Sequence, residues 1–306
     1  MRSHFIKWLC NTARHDKRII LLTADLGYSV IEPFADQFPD RFINVGIAEQ
    51  NMVGIAAGLA SEGFRPYTYS IGIFPTFRCA EQLRNDIDYH RLPVCTCTVG
   101  SGVAYGLLGY SHHAVQDIAL MRSLPNTTIA TPSDPLEVSR SLDWQLDVGV
   151  PMYLRMHKNE DPLIHKQLPD LTLGKPLYIT KRKNISKKSG TCFLAIGILA
   201  SKALDLIKKY NFSVDFYTLP IWDSSSNDNL IDMLRNYNRV ITIEDHLLQG
   251  GMSSWLMEIL AINNLKLDVE PICLESSLVG KVASEDTFLK PVISRIYDAL
   301  LLHSNS

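Results

Sequence analysis

Apolar runs alternate with segments of helical periodicity along this chain. In the first half, strands are predicted at residues 18–23, 42–47, 66–73, 93–98, 129–131 and 150–155, and the apolar runs at 18–23, 42–47 and 150–155 are typical of buried parallel strands. The second half repeats the pattern, with strands predicted at residues 191–198, 214–219, 239–243 and 272–274. Strands that alternate with helices form parallel sheets covered on both faces. We therefore predict an α/β protein with two doubly wound domains and mainly parallel sheets.

A polar stretch separates the two halves. Residues 157–189 carry few apolar clusters and several Lys, Pro and Asn residues, including the run KRKN at 181–184. A length of 306 residues also suggests two domains. We predict a first domain over residues 1–165, a linker over 166–188 and a second domain over 189–306.

A lone carboxylate, Glu49, lies where a predicted strand meets an unusual helix. Residues 52–60 (MVGIAAGLA) are small or apolar nearly all round the helix. Such a helix is buried, which predicts packing against another subunit or a second copy of the chain. A carboxylate in that setting needs a partner, so Glu49 is a candidate functional residue. The alternative is that Glu49 caps free amides in the first helical turn.

Aromatic residues and histidines follow the next two predicted strands. Phe74 and Phe77 lie three apart at a strand-to-helix loop, where they either pack in the core or provide a stacking surface for a flat ring. His112 and His113 lie in a glycine-rich loop over residues 100–113. Its glycines have the spacing GxGxxxG and no helix begins directly after them, which argues against a nicotinamide dinucleotide site.

Three further positions carry polar groups near strand ends. Ser29 lies in the loop after the first strand, where open α/β sheets bind ligands. Arg155 ends the sixth strand and suits a phosphate or carboxylate, the alternative being a solvated surface charge. The sequence EDH at 244–246 follows a strand, and we predict a helix N-terminus and interface contact there rather than a site.

Composition narrows the classes of partner. The 30 basic and 32 acidic residues give a formal charge of −2, which predicts no nucleic-acid and no anionic membrane partner. No apolar run is long enough to span a bilayer, and the N-terminal residues lack a signal-peptide pattern. The six cysteines are scattered without zinc-site spacing. Reduced thiols, a cytoplasmic location and no metal site within this chain are therefore expected.

Three segments together resemble the transketolase superfamily. They are residues 41–60 (RFINVGIAEQNMVGIAAGLA), 81–89 (EQLRNDIDY) and 109–126 (GYSHHAVQDIALMRSLPN). The resemblance is greatest to the C-terminal half of transketolase and of 1-deoxyxylulose-5-phosphate synthase, and it covers nearly the whole chain. It implies a thiamine diphosphate-binding fold of the pyrimidine type in the first domain, followed by a transketolase C-terminal domain.

The resemblance also implies a partner chain. The family's diphosphate-binding domain carries a Gly-Asp-Gly motif and holds the metal ion, and no Gly-Asp-Gly occurs in these residues. The expected arrangement is a split transketolase in which this chain is the C-terminal subunit. An N-terminal subunit would hold the diphosphate and Mg²⁺ or Ca²⁺, in a heterotetramer of two plus two chains with the active site between subunits.

The resemblance assigns expected roles to individual residues. Glu49 matches the carboxylate that hydrogen-bonds a ring nitrogen of the cofactor's aminopyrimidine, and His112 matches a catalytic histidine that contacts substrate oxygens. Cofactor contacts are expected from Glu49, Ile47, Phe74 and Phe77. Substrate contacts are expected from Ser29, His112, His113 and Arg155.

The implied reaction is transfer of a two-carbon ketol unit from a ketose or ketose phosphate to an aldehyde acceptor. Leu108 stands where transketolases carry an acid, and Gly100 lies near a position where they carry a histidine, which leaves a specialised sugar substrate open. Two alternatives remain within enzymes: a β-type subunit of a 2-oxo acid dehydrogenase, and a deoxyxylulose-phosphate-synthase-like enzyme that decarboxylates pyruvate. A non-catalytic partner subunit is the alternative of another class.

Overall fold

Two β-sheets, each flanked by helices, make up the molecule. The computed structural model describes residues 1–182, 190–225 and 227–304. The strands, in chain order, are β1 (Ile19–Thr23), β2 (Phe42–Asn44), β3 (Arg65–Ile71), β4 (Cys95–Val99), β5 (Thr128–Ala130), β6 (Met152–Met156), β7 (Leu177–Thr180), β8 (Thr191–Ala195), β9 (Asp215–Thr218), β10 (Ile221–Trp222), β11 (Arg239–Leu247) and β12 (Asp268–Leu274). The predicted α/β class with mainly parallel sheets is confirmed.

Helices connect most of these strands and cover the sheets. In the described residues they span Arg2–Ala13, Glu32–Gln37, Glu49–Ser61, Phe74–Phe77, Ala80–Gln82, Asp117–Arg122, Pro135–Val148, Ile198–Tyr210, Asp228–Leu234, Met252–Ile262 and Glu285–His303. Between Phe74–Phe77 and β4 the chain forms no long helix: Ala80–Gln82 is a short helical turn, and Leu83–Asp88 winds as a π-helix.

The first sheet has the order β10-β5-β6-β4-β3-β1-β2, and the pairs among β1 to β6 are all parallel. Strands β1, β4 and β6 are buried along their whole length. The apolar runs of β1 and β6 predict this burial, whereas β4 alternates Cys and Thr. Parallel strands bring their carboxyl ends to one edge of the sheet. The helix of Glu49, the helix of Phe74 and the loop of His112 follow β2, β3 and β4, so all three lie at that edge.

The boundary between the domains differs from the predicted one. Strand β7 lies inside the predicted linker over 166–188 and pairs antiparallel with β9 at the edge of the second sheet, whose order is β12-β11-β8-β9-β7. The strand is short, only partly buried and set in a stretch rich in Lys, Pro and Asn, so the sequence pattern missed it. Residues 183–189 of that predicted linker lie outside the described residues.

The second half of the chain contributes one strand to the first sheet. Strand β10 follows β9 of the second sheet but pairs antiparallel with β5 of the first sheet. The indole N–H of Trp222 on β10 donates to the hydroxyl of Thr131 at 3.1 Å, and its ring packs in a tilted arrangement against Trp255, with ring centres 4.7 Å apart. The second half of the chain therefore completes the sheet of the first half.

A histidine joins the domains on another side of the molecule. His157 follows β6, and its ring nitrogens lie 2.7 Å from Asp161 Oδ1 and 2.8 Å from Glu285 Oε1 of the last helix. Burial acts to lower the pKa of His157, but the hydrogen bonds to Asp161 and Glu285 outweigh it and raise the pKa to about 9.

This histidine predicts how stability changes with pH. Because the folded-state pKa lies above the unfolded value, the stabilisation is complete below the unfolded pKa and is lost as pH rises towards 9. The difference corresponds to about 3 kcal/mol. Urea unfolding of the wild type between pH 6 and 10 should show this loss. The variant His157→Gln should show a flatter profile, and equal slopes for both proteins would contradict the assignment.

Candidate active site

Glu49 is the first residue of the helix Glu49–Ser61 and is only 3% exposed. Its Oε2 accepts a hydrogen bond of 2.6 Å from Nη1 of Arg78. The alternative that Glu49 caps the first-turn amides is wrong, because no side chain caps this helix and the carboxylate turns to Arg78 instead. No hydrogen bond to Oε1 is present among the described residues, so one carboxylate oxygen remains available for a ligand.

Arg78 connects Glu49 to the aromatic residue predicted beside it. The guanidinium carbon of Arg78 lies 4.7 Å from the ring centre of Phe74, a cation–π distance. The backbone carbonyl of Arg78 accepts a hydrogen bond of 3.0 Å from the side-chain amide of Gln50. A single arginine therefore holds both the carboxylate and the phenylalanine ring in place. Sequence analysis did not single out Arg78, although a buried carboxylate requires a partner such as a nearby cation.

One side of the helix Glu49–Ser61 is open in the isolated chain. The opposite side packs in the core of the first sheet through Met52, Val53, Ala56, Ala57 and Ala60. A methyl group added at Gly54 or at Gly58 would meet no atom within 4 Å. The predicted burial of this helix is thus present on one side only, and a small-residue surface is left on the other.

His112 lies next to Phe74 at the same sheet edge. Their ring centres are 5.1 Å apart in an edge-to-face arrangement, and the hydroxyl of Ser111 is 3.0 Å from His112 Nδ1. Burial and then the neighbouring His113 lower the pKa of His112 below its ordinary value of 6.5. The ring is therefore neutral near pH 7 and can serve as either donor or acceptor through Nε2.

Tyr105 and Lys158 extend this row of contacts. The ring of Tyr105 lies 6.3 Å from the ring of His112, and Lys158 Nζ lies 4.9 Å from the ring centre of Tyr105. A Cβ atom at Gly100, which has φ of +90°, would collide with the Tyr105 ring. Glycine at position 100 therefore leaves room for Tyr105, which accounts for the absence of a larger residue there. Neither Tyr105 nor Lys158 was singled out by sequence analysis.

Ser29 lies on the wall of a basic cavity nearby. This cavity of about 560 Å³ is formed by the first helix and the loop after β1, and its charged lining residues are Arg2, Lys7, Arg14 and Glu160. Arg2 also lines a second cavity of about 200 Å³ at the strand ends, together with Tyr105. Ser29 is exposed and has φ of +64°. The surplus of positive charge suits an anionic group.

Two predicted substrate residues do not face this edge. Arg155 is 2% exposed, and its guanidinium bonds Asp117, Asp245 and the carbonyl of Ala114. His113 is fully buried, with Nε2 near the carbonyl of Gly106 and its ring against Phe288. A role for either residue in direct substrate contact is incompatible with this burial. The sequence pattern could not reveal this burial. A charged residue near the end of a strand can face either solvent or another domain, and the pattern is the same in both cases.

The remaining predicted cofactor residues are exposed in the isolated chain. Ile47, two residues before Glu49, is 80% exposed, and Phe77 is 50% exposed on the short helix that begins at Phe74. Within the described residues, no group of three or more His, Cys, Asp or Glu side chains could hold a metal ion. The same part of the chain has no helix that is both long and apolar enough to cross a membrane.

Comparison with known proteins identifies the family. Residues 1–162 match the family described as transketolase, pyrimidine binding domain. The chain belongs to the transketolase family. A relative from Methanocaldococcus jannaschii, named as a putative transketolase C-terminal section, is 28% identical over 298 residues, which is 95% of this chain and 90% of the relative. This chain is accordingly a transketolase-like C-terminal subunit.

Two further relatives and one solved structure agree with this assignment. One subunit of the apulose-4-phosphate transketolase of Actinobacillus succinogenes is 32% identical over 76% of this chain and 73% of its own. A 1-deoxy-D-xylulose-5-phosphate synthase of Lawsonia intracellularis is 29% identical over 93% of this chain but only 43% of its own. A split-gene transketolase, an inactive β4 tetramer, superposes with a TM-score of 0.82 at 26% identity, covering 99% of this chain and 97% of that one. The transketolase family depends on thiamine diphosphate.

Proposed function

We propose that this chain is the C-terminal subunit of a two-chain, thiamine diphosphate-dependent transketolase. The enzyme transfers a two-carbon ketol unit from a ketose phosphate to an aldehyde acceptor. The observation that carries the proposal is the environment of Glu49: a buried carboxylate with one free oxygen, beside Phe74 and His112, at the carboxyl edge of the first sheet.

The residues at this edge fit one half of the cofactor. A carboxylate with an available oxygen suits a ring nitrogen of the aminopyrimidine, and the half-buried ring of Phe74 offers a face for stacking. We assign the diphosphate and Mg²⁺ or Ca²⁺ to the N-terminal subunit, which would carry the Gly-Asp-Gly motif. When bound, thiamine diphosphate supplies the electron sink for breaking and forming a carbon–carbon bond.

Glu49 and Arg78 have different proposed roles at the pyrimidine ring of the cofactor. Arg78 keeps Oε2 of Glu49 hydrogen-bonded, which orients the carboxylate and leaves Oε1 as the atom that would share a proton with a ring nitrogen of the bound cofactor. Burial of Glu49 excludes water from this hydrogen bond and strengthens it. Ile47 and Phe77 then serve as further apolar contacts for the cofactor or the partner chain.

His112 and the basic cavity serve the substrate. Ser111 lies against His112 Nδ1, which leaves Nε2 of the neutral ring to exchange a hydrogen bond or a proton with a substrate hydroxyl. Arg2, Lys7, Arg14 and Ser29 line the cavity that receives the phosphate group of the sugar.

The open side of the helix Glu49–Ser61 is the proposed subunit contact. Its small residues allow a second helix to approach closely, and Ile47 at the start of the helix is otherwise an exposed large apolar residue. The likeness to a split-gene transketolase described as an inactive β4 tetramer supports self-association of this chain and activity only with a partner. We propose a heterotetramer of two C-terminal and two N-terminal subunits.

A deoxyxylulose-phosphate-synthase-like reaction is the second candidate. It is favoured by Leu108, which is exposed near His112 where an acidic side chain would recognise a sugar hydroxyl. This candidate begins with decarboxylation of pyruvate, so it differs from ketol transfer in releasing CO₂.

Reconstitution with a separate chain that carries the Gly-Asp-Gly motif tests the proposal. We expect ketol transfer from a ketose phosphate to an aldehyde only when both chains, thiamine diphosphate and Mg²⁺ are present. Each chain alone is the control and should show no turnover. Tight, Mg²⁺-dependent cofactor binding by this chain alone in calorimetry would contradict the two-chain assignment, and CO₂ release from pyruvate by the pair would favour the second candidate.

A further inference from the structure

A buried ionic cluster lies where the second domain meets the loop that carries His112. Arg155, at the end of β6, is its centre. Its Nε donates to Asp117 Oδ2 at 2.7 Å, and its Nη1 donates to Asp245 Oδ1 at 2.5 Å. Side-chain exposure is 1% or less for all three residues. Buried charges must be paired, so the guanidinium has little freedom to leave this position.

The loop is tied to the same guanidinium. We define the histidine loop as residues 106–116. Nη2 of Arg155 donates to the carbonyl of Ala114 at 2.7 Å, and the amide of Gly102 donates to that carbonyl at 3.0 Å. Ala114 is two residues beyond His112, and Asp117 begins the helix that ends the loop. The cluster therefore holds the loop at its C-terminal end, within a few residues of the candidate active-site histidine.

The second domain supplies the other side of the cluster. Asp245 lies on β11, and the amide of Leu247 on the same strand donates to the carbonyl of Val115 in the histidine loop at 3.0 Å. Space around Asp245 is limited, since a Cβ atom at Gly102 would lie 2.6 Å from its Oδ2. Two adjacent acids on β11 thus act differently: Glu244 receives the amides of Met252 and Ser253 at a helix start, whereas Asp245 reaches across to Arg155.

We infer that Asp245, acting through Arg155, is a positioning residue that sets the place of His112 at the active site. The second domain then contributes to binding of the acceptor without touching it. This inference rests on the proposed function for the role of His112, while the coupling of Asp245 to the loop can be tested without turnover. It also assigns Asp245, the middle residue of the sequence EDH at 244–246, a role beyond the interface contact predicted for that sequence.

Hydrogen exchange in the full-length chain tests the coupling directly. The variant Asp245→Asn keeps the shape of the side chain and removes its charge. We expect amides of residues 106–117 to exchange about tenfold faster in this variant, with amides of the helix Glu49–Ser61 unchanged. The matched control is Asp268→Asn, which removes an aspartate–arginine pair with Arg239 at the exposed edge of the same sheet. Unchanged exchange of the histidine loop in folded Asp245→Asn would overturn the inference.

A second variant keeps the test decisive if Asp245→Asn does not fold. Arg155→Lys retains a buried positive charge between Asp117 and Asp245 but loses the branched group that also reaches Ala114. The same acceleration of exchange in residues 106–117 is expected. Exchange of this loop at the wild-type rate would overturn the inference.

Kinetics of the two-chain enzyme then separate positioning from general destabilisation. For Asp245→Asn we expect kcat/KM for the aldehyde acceptor to fall about 10²-fold, because a small misplacement of a substrate-binding group lowers the rate by about this factor. The Kd of thiamine diphosphate should stay within about twofold, because Glu49 and Phe74 lie outside the cluster. A fall in cofactor affinity equal to the fall in kcat/KM would contradict positioning. If Asp245→Asn shows faster exchange of the histidine loop but the wild-type pair shows no ketol transfer, the proposed function is refuted and the coupling of Asp245 to the loop still holds.

Discussion

Replacing Glu49 by glutamine is expected to lower the kcat of the two-chain enzyme by about 10³-fold or more, in the upper range for loss of a positioned proton-transfer group. The amide has nearly the same size and its carbonyl oxygen can still accept the hydrogen bond from Arg78. Unlike a carboxylate, the amide cannot take up or release a proton at the position of Oε1, the atom that we propose bonds the pyrimidine ring. Steady-state rates of ketol transfer with saturating thiamine diphosphate give the measurement.

Glu62→Gln is the matched control for this change. Glu62 follows the last turn of the same helix and is exposed, so the substitution removes a negative charge without touching the site. Thermal unfolding and co-purification with the N-terminal subunit should be unaffected in both variants. Turnover of Glu49→Gln within about tenfold of the wild type would exclude the assigned role of Glu49.

Truncation after residue 165 is expected to leave no stable folded domain, although the sequence pattern places a domain boundary there. The fragment would lose β10, whose pairing covers the edge of β5, and would lose the indole of Trp222 from the core. Arg155 would also lose Asp245. Removing one partner from a buried ion pair costs about 3–5 kcal/mol, a large part of the 5–15 kcal/mol that stabilises a typical domain.

Circular dichroism and urea titration of the fragment over residues 1–165 check this prediction. We expect non-cooperative unfolding or aggregation through the unpaired edge of β5. Co-expression with a fragment over residues 166–306 is the control, because the missing strand then returns in trans and should restore a soluble, cooperatively unfolding complex. Reversible two-state unfolding of the first fragment alone would show that β10 is dispensable.

Much of the architecture could be predicted from local patterns. Apolar runs identified β1 and β6, since strands buried on both faces of a sheet consist mostly of apolar residues. The same reasoning failed for β7 and β10. Strand β7 is only partly buried, and β10 spans two residues whose partner strand lies about ninety positions earlier. Periodicity carries information about burial, and it carries little about which sheet a short strand joins.

The candidate site was predictable to a similar degree. Glu49, Phe74 and His112 follow β2, β3 and β4, three parallel strands of the first sheet, so topology alone brings them to one edge of that sheet. Arg78 and Tyr105 were missed because they lie within segments of mixed polarity, where one arginine or tyrosine resembles any other. Their importance comes from side-chain contacts with Glu49 and His112, which a linear pattern does not contain.

The sequence by itself determined the α/β class, the order of most elements and the position of Glu49 at the start of a small-residue helix. These features depend on periodicity and on residues that are neighbours in the chain, and both can be read directly from the sequence. Only the tertiary structure decided that Glu49 pairs with Arg78, and that Arg155 binds Asp117 and Asp245, which lie 38 and 90 positions away in the chain. The free energy of a charged group depends on what surrounds it after folding, so its partners are settled only when distant segments pack together.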